Sequence, residues 1–508
     1  MTPASMKSSE GNQDSKLKIL VAIASYGRGN DQYLTQLVKE YQSMPFDVDI
    51  VVLSNVQKEV GAGIEVVVGL PTKNPWTLPF AHKKIFAERV NSYDLFIYSE
   101  DDTLITEANI NAFLKVSAIL PTDKIAGFLR YECGANGAIN YPDVHGHYHW
   151  DIASLLTIGE YQFAHFTNEH SASYLITREQ LRKAIDSGGF VVEPHEGKYD
   201  LLCSAATDPY TQCGFTKVLC ISHMSEFMIR HLSAKYVGVA EHVGFHLGLD
   251  GAGFQSEIDA LLRIGQNGHR PDVLMRPETN LKGALYSKDF YEAARTEIIS
   301  EIPGTATSVL SVGCGSAVTE KLLAAKGVKV VAVPLDAVVA AGAEMEGVEI
   351  IGGDLDSVRK KLAGRKFDCL LLSNILHLVE DPIEFLGSFA EFLSKGASLL
   401  IVVPNVRPLR VTYDVVKRAA GMAHEKPAAI YWRMLRGDKA LRRRGKFEEI
   451  GVHETSEKKL RDWCRGAGLR LDKTVNIMPE KVKKMSRLSL GLLDGIVATE
   501  LISVATKI

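Results

Sequence analysis

The sequence predicts an α/β protein of two domains, and three observations carry that expectation. At 508 residues the chain is too long for one hydrophobic core. Continuous apolar runs of the kind found in parallel sheets begin at Leu17 and again at Ser308, with helical periodicity between the runs of each half. Three carboxylates close one such run in the first half, and a glycine-rich turn closes one in the second. Composition fits a folded protein, 46% hydrophobic and 23% charged. Lys and Arg number 58 against 61 Asp and Glu, a net of −3, so no global charge points to nucleic acid. Seven cysteines, an odd count without a CxxC pair, argue for a reducing compartment rather than a disulfide framework. Residues 1–16 form a polar, Ser-rich tail without the apolar core of a signal peptide, and no bilayer-length apolar run occurs. A cytoplasmic location is expected.

In chain order, Leu17–Ala24 is a buried strand that ends in the turn Ser25-Tyr26-Gly27-Arg28-Gly29-Asn30. Gln32–Ser43 has helical periodicity, with Leu34, Leu37, Val38 and Tyr41 on one side. Strands follow at Val48–Leu53 and Ile64–Val68, then a Pro-rich loop and a helix from Ala81 that carries His82, Lys83 and Lys84. The strand Leu95–Tyr98 runs out into Glu100-Asp101-Asp102. Ligands of open α/β sheets bind outside the carboxyl ends of the strands. Adjacent carboxylates there repel one another unless a hard cation neutralises them, Mg²⁺ or Mn²⁺ being the natural choice. A solvated turn is the alternative reading. A helix at Ile105–Leu120 and a short strand at Ile125–Leu129 come next. His145, His147 and His149 alternate with Tyr148 and Trp150; if extended, the two sets face opposite ways and offer an aromatic platform for a sugar ring. Further strands are expected at Ser173–Ile176 and Val218–Ile221, with a helix from Arg178 after the first and His223 and His231 after the second.

Residues 17–240 thereby resemble a nucleotide-sugar glycosyltransferase of the GT-A fold. The resemblance implies a mixed sheet that binds a nucleoside diphosphate sugar. It places Ser25, Tyr26, Arg28, Lys83 and Asp101 at the donor, with Tyr26 stacking on the base and Arg28 at the diphosphate. Glu100 and Asp102 fall on the outer positions of the acidic metal signature, and His223 or His231 would complete the shell around Mn²⁺ or Mg²⁺. Glu169, Asp200 and Asp208 are the rival candidates for the base that deprotonates an acceptor hydroxyl. Retention and inversion both stay open.

Residues 241–285 read as a tail and linker, and 286–508 as the second domain. Phe290–Ile302 is an expected amphipathic helix. Ser308-Val309-Leu310-Ser311-Val312-Gly313-Cys314-Gly315-Ser316-Ala317 is a strand running into a turn whose glycines let backbone approach a ligand. Strands at Val328–Val333, Val348–Gly353, Phe367–Asn374 and Lys395–Asn405 follow, then a helix from Ser456 and a closing strand at Ile496–Ala505. This order resembles a class I, Rossmann-like methyltransferase of the sugar or small-molecule type. The resemblance implies S-adenosylmethionine held by Gly313, Gly315, Asp336, Asp354 and Asn374. Several positions depart from it. Pro334 stands where the family has the carboxylate for the ribose hydroxyls, Ser311 replaces an acidic residue, Ala317 a glycine, and His377 a glutamate. A basic insertion at 411–447 suits a phosphate-bearing or acidic glycan acceptor.

The expected function is a bifunctional, glycan-modifying enzyme of polysaccharide biosynthesis. It would transfer sugar from a nucleoside diphosphate donor with a metal ion, and methylate a glycan hydroxyl with S-adenosylmethionine. The alternatives are a glycosyltransferase fused to an inactive methyltransferase-like docking domain, and a carbohydrate-binding scaffold without enzymatic activity.

Overall fold

The computed structural model describes residues 16–135, 137–237, 241–242, 245–246, 251–268, 273–279, 281, 284–407, 451–478 and 498–508. The basic insertion, most of the N-terminal tail, Gly244 and Gly248 lie outside the described residues. The chain forms two compact units. The first is Met1–Phe128 with Glu169–Lys217 and Ser225–Ser233; the second is Leu129–Asn168, Val218–Met224 and Ala234–Ile508. No helix among the described residues is long and apolar enough to cross a membrane.

The first unit is built on β1 (Lys18–Ala24), β2 (Asp47–Ser54), β3 (Glu65–Val68) and β4 (Leu95–Glu100). Its sheet runs Ser173–Thr177, β4, β1, β2, β3, parallel except for Ser173–Thr177, which lies antiparallel to β4. Ile19 to Ile23 and Leu95 to Tyr98 are wholly buried, as continuous apolar runs in a doubly covered sheet must be. Each such side chain contributes on the order of 1.5–3 kcal/mol of burial. Helices α1 (Asp31–Ser43), α2 (Ala81–Glu88), α3 (Glu107–Ser117), α4 (Arg178–Asp186) and α5 (Leu201–Thr211) complete the unit. α1 buries Leu34, Leu37, Val38 and Tyr41, as its periodicity requires. α3 is shorter than Ile105–Leu120 because Thr106 caps it in a capping box with Asn109.

In the second unit, Trp150–Ile158 and Tyr161–Phe166 form an antiparallel pair. The expected linker contains a helix, α6 (Gly251–Asn267), which buries Phe254, Ile258 and Leu261. Its flanking glycines masked that i, i+4, i+7 pattern in the sequence. The main sheet comprises β5 (Ser308–Cys314), β6 (Lys329–Pro334), β7 (Val348–Ile350), β8 (Phe367–Ser373), β9 (Leu393–Pro404), β10 (Leu469–Ile477) and β11 (Glu500–Lys507). Its order is β7-β6-β5-β8-β9-β11-β10, with β11 antiparallel to both neighbours and the other pairs parallel. α8 (Val318–Ala325), α9 (Leu355–Leu362), α10 (Pro382–Ala390) and α11 (Glu457–Gly466) connect or flank these strands.

The helix expected at Phe290–Ile302 shrinks to α7 (Thr296–Ile299). The amides of Phe290 and Tyr291 donate instead to the Gly146 carbonyl, at 2.7 and 3.1 Å, so this stretch is spent on a tertiary bridge. The His145–His149 alternation is likewise not an extended strand. Gly146 adopts φ +58°, the chain turns there, and the His149 ring stacks on Phe290 at 4.4 Å.

Candidate functional site

Two places gather chemistry-bearing side chains. In the first unit the acidic tip of β4 meets the turn after β1. Asp101 and Asp102 are buried. Asp101 accepts from the Ser25 hydroxyl at 2.5 Å and from Asn30 Nδ2 at 2.7 Å. Burial pushes its carboxyl above the usual range, and these two donors pull it back. Lys58 Nζ lies 2.8 Å from Ser25 Oγ and 2.5 Å from an Asp31 oxygen, so one buried ammonium ties the corner together. Asp102 Oδ2 lies 3.2 Å from His231 Nε2. Tyr26 is 56% exposed at this rim, and Arg28, also exposed, donates to the Gln57 carbonyl.

The four expected metal ligands are not assembled as a set. Asp102 and His231 meet, whereas His223 belongs to the second unit, where its ring lies 4.8 Å from that of Tyr161. Glu100 ends β4 and its amide donates to the Ala172 carbonyl at 3.0 Å. Among the described residues no three His, Cys, Asp or Glu side chains gather as a metal group.

Several other expected site residues make structural contacts. Lys83 and Asp208 form a buried ion pair with each other, the lysine beneath the Phe80 ring at 4.5 Å. The face of α2 that carries Lys83 points inward. Burial lowers the Lys83 pKa and Asp208 partly restores it. His195 Nε2 sits 3.1 Å from the same Asp208 carboxylate. Asp200 caps α5 by accepting from the Cys203 amide at 2.9 Å. Glu169 is held at 2.5 Å by the Tyr199 hydroxyl and at 2.7 Å by Lys198. Trp150, expected on a sugar platform, is buried.

The second place is the rim formed by the carboxyl ends of β5, β6 and β8. Gly313 adopts φ +81°, where an added Cβ would meet the Ile375 side chain at 2.5 Å. Gly315 lies under the Phe290 carbonyl, 1.9 Å from where a Cβ would stand, and the Ser316 amide donates to that carbonyl at 2.7 Å. Only glycine fits at either position. Ser311 donates at 2.6 Å to Glu320, a buried carboxylate. At the end of β8, Asn374 holds φ +55°, a strained conformation for a residue with a Cβ. Its Nδ2 donates to Glu500 at 3.0 Å, and Arg295 pairs with the same carboxylate at 2.7 Å. Asp354 caps α9 by accepting from the Ser357 amide at 2.8 Å. His377 donates from Nε2 to the Tyr286 carbonyl at 2.8 Å, and burial lowers its pKa to about 4.

β6 does end in Pro334, and Asp336 is buried just beyond it, accepting from the Val338 amide at 2.7 Å. Burial raises the Asp336 pKa to about 6. From outside the sheet, α6 delivers Glu257, fully buried, whose Oε2 accepts from Trp150 Nε1 at 2.8 Å and from the Tyr291 hydroxyl at 3.0 Å. Four buried polar atoms at this rim find no hydrogen-bond partner among the described residues: Ser316 Oγ, Asn374 Oδ1, His377 Nδ1 and Glu257 Oε1. Buried polar atoms are seldom left so, because each forfeits its hydration. Together with the glycine turn they fit a polar small molecule held at the strand ends.

Residues 285–474 match the model of a methyltransferase-domain family. Among solved structures, a methyltransferase from Listeria monocytogenes is similar at 14% identity over 42% of this chain and 96% of its own, TM-score 0.30. One from Mesorhizobium loti has 15% identity over 42% and 96%, TM-score 0.28. One from Archaeoglobus fulgidus has 14% identity over 42% and 90%, TM-score 0.29. No curated protein matches the sequence.

Proposed function

We propose that the chain is a glycan-modifying enzyme whose second unit carries S-adenosylmethionine-dependent methyl transfer to a hydroxyl. The observation that carries this reading is the pair of unpartnered buried atoms Ser316 Oγ and Asn374 Oδ1 beside a glycine turn, inside the region that the methyltransferase family model matches. Bound S-adenosylmethionine would supply an electrophilic methyl group on a sulfonium. The chain's own part is positional. Gly313 turns the backbone away from β5 so that the following residues clear the strand end. Asn374, anchored through Nδ2 on Glu500, keeps Oδ1 available as an acceptor. Arg295 neutralises the same Glu500, so the acceptor is not set beside an uncompensated charge. The test is equilibrium titration of the full chain with S-adenosylhomocysteine. Binding, with a rise in melting temperature by mass action, is expected, and its absence at millimolar ligand overturns the reading.

A second reading is favoured by the corner at the ends of β1 and β4: sugar transfer from a nucleoside diphosphate donor by the first unit. Asp101 and Asp102 stand where open sheets take ligands, with a His231 imidazole on one of them. A cation bridged by a substrate diphosphate needs only one or two protein ligands, so the Asp102 and His231 pair fits Mn²⁺ or Mg²⁺ held jointly with a donor. Exposed Tyr26 and Arg28 would meet the nucleoside and its phosphates. Thermal stabilisation by a nucleotide sugar that requires Mn²⁺ and vanishes in Asp102→Asn is the expected result. Stabilisation unchanged by the substitution removes this reading.

A further inference from the structure

The domain lacks a carboxylate at the end of its second strand, yet keeps a buried one facing the same crevice from another direction. Pro334 closes β6 and offers no side-chain donor or acceptor. Asp336, two residues on, spends one oxygen on the Val338 amide. Glu257 arrives on α6, a helix outside residues 285–474. Its place is fixed from three sides. Tyr291, which donates to it, adjoins Phe290, whose carbonyl covers Gly315 and bonds the Ser316 amide after β5. Asp336, beyond the end of β6, raises the proton affinity of Glu257 through space. α6 itself packs on the turn that follows β6, where Gly253 lies 3.4 Å from a Cβ built on Gly342. Glu257 therefore stands between the glycine turn of β5 and the chain leaving β6.

Its two oxygens are unequal. Oε2 is held by Trp150 and Tyr291, while Oε1 is buried without a partner among the described residues. A carboxyl oriented through one oxygen and left bare at the other lacks a ligand's hydroxyl groups. One turn further along the same helix, Ala260, Arg263 and Ile264 face Ala337, Val338 and Gly352 across a groove of about 400 Å³, within the range of small-molecule sites. We infer that Glu257 replaces the missing strand-end carboxylate and takes the ribose hydroxyls of the adenosyl cofactor, so that the site is completed by a helix from outside the methyltransferase region. This rests on the methyl-transfer reading above.

The experiment is a calorimetric titration of the full chain with S-adenosylhomocysteine and with its counterpart lacking both ribose hydroxyls. In Glu257→Gln the affinity for S-adenosylhomocysteine is expected to fall about tenfold or more, while the hydroxyl-free ligand binds within about twofold of the unsubstituted chain. Equal weakening of both ligands makes Glu257 a structural group and overturns the inference, as does unchanged binding. Should Glu257→Gln not fold, the unsubstituted chain decides: it must bind the hydroxyl-free ligand at least about tenfold more weakly, and equal affinities overturn the inference. An unsubstituted chain that binds neither ligand removes the methyl-transfer reading and this inference together. Binding that ignores Glu257 removes the inference alone.

Discussion

The acidic corner of the first unit and the strand-end rim of the second handle buried charge differently. In the first unit the charges answer one another: Asp101 takes Ser25 and Asn30, Lys58 bridges Ser25 and Asp31, and Lys83 pairs with Asp208, although the Ser99 and Thr103 hydroxyls beside the acidic tip find no partner among the described residues. At the rim, Ser316, Asn374 and Glu257 each keep an atom with no partner among the described residues. Mutual satisfaction stabilises a fold without requiring a ligand, whereas an orphaned buried atom marks where an outside molecule completes the structure. Clusters of charge are thus weaker pointers to a site than gaps in hydrogen bonding.

The strongest way to break this contrast is to unbalance the first unit. Lys83→Met leaves Asp208 buried without its main countercharge and is expected to lower stability by about 3–5 kcal/mol in denaturant unfolding. The double variant Lys83→Met with Asp208→Leu should recover most of that loss. A single variant as stable as the parent shows that the pair does not hold the unit together.

At the rim, His377 gives a pH signature. Its folded pKa, near 4, lies below the ordinary value of 6.5, so the unfolded chain binds more protons between those values. Stability from this residue is fully present above about pH 6.5 and is lost as pH falls toward 4, by up to about 3 kcal/mol. His377→Gln should flatten that part of the stability profile; an unaltered slope refutes the assignment.

A smaller effect separates the turn from its surroundings. Gly315→Ala drives a methyl group into the Phe290 carbonyl, a backbone atom, and is expected to cost about 1–3 kcal/mol and to weaken S-adenosylhomocysteine binding. Retained stability and affinity would show that the Phe290 strap moves freely. The smallest expected change is at Asp354, where Asp354→Ala removes an N-cap worth about 1 kcal/mol. If cofactor affinity falls along with stability, Asp354 also touches the ligand.

Much of the architecture was legible from residue order. The apolar runs at β1, β4, β5 and β8 reveal buried parallel strands because every side chain in such a strand faces a covered layer. Gly313 and Gly315 were legible because their turn tolerates no Cβ, and Pro334 because a missing carboxylate is visible as a letter. The site was less so. Lys83 and Asp208 stand 125 residues apart, and nothing local says that they face each other rather than a substrate. The segment Phe290–Arg295 has helical periodicity, yet Gly146 takes its amides.

By itself, then, the sequence determined most of the buried strands of the two sheets and the glycine turn after β5, since burial period and glycine geometry are local properties, while α6 and the shortening of α7 escaped it. Only the tertiary structure decided which carboxylates are spent and which are spare. Whether Glu257 or Asp208 retains a bare oxygen depends on partners brought from distant parts of the chain, and no spacing along the chain encodes that.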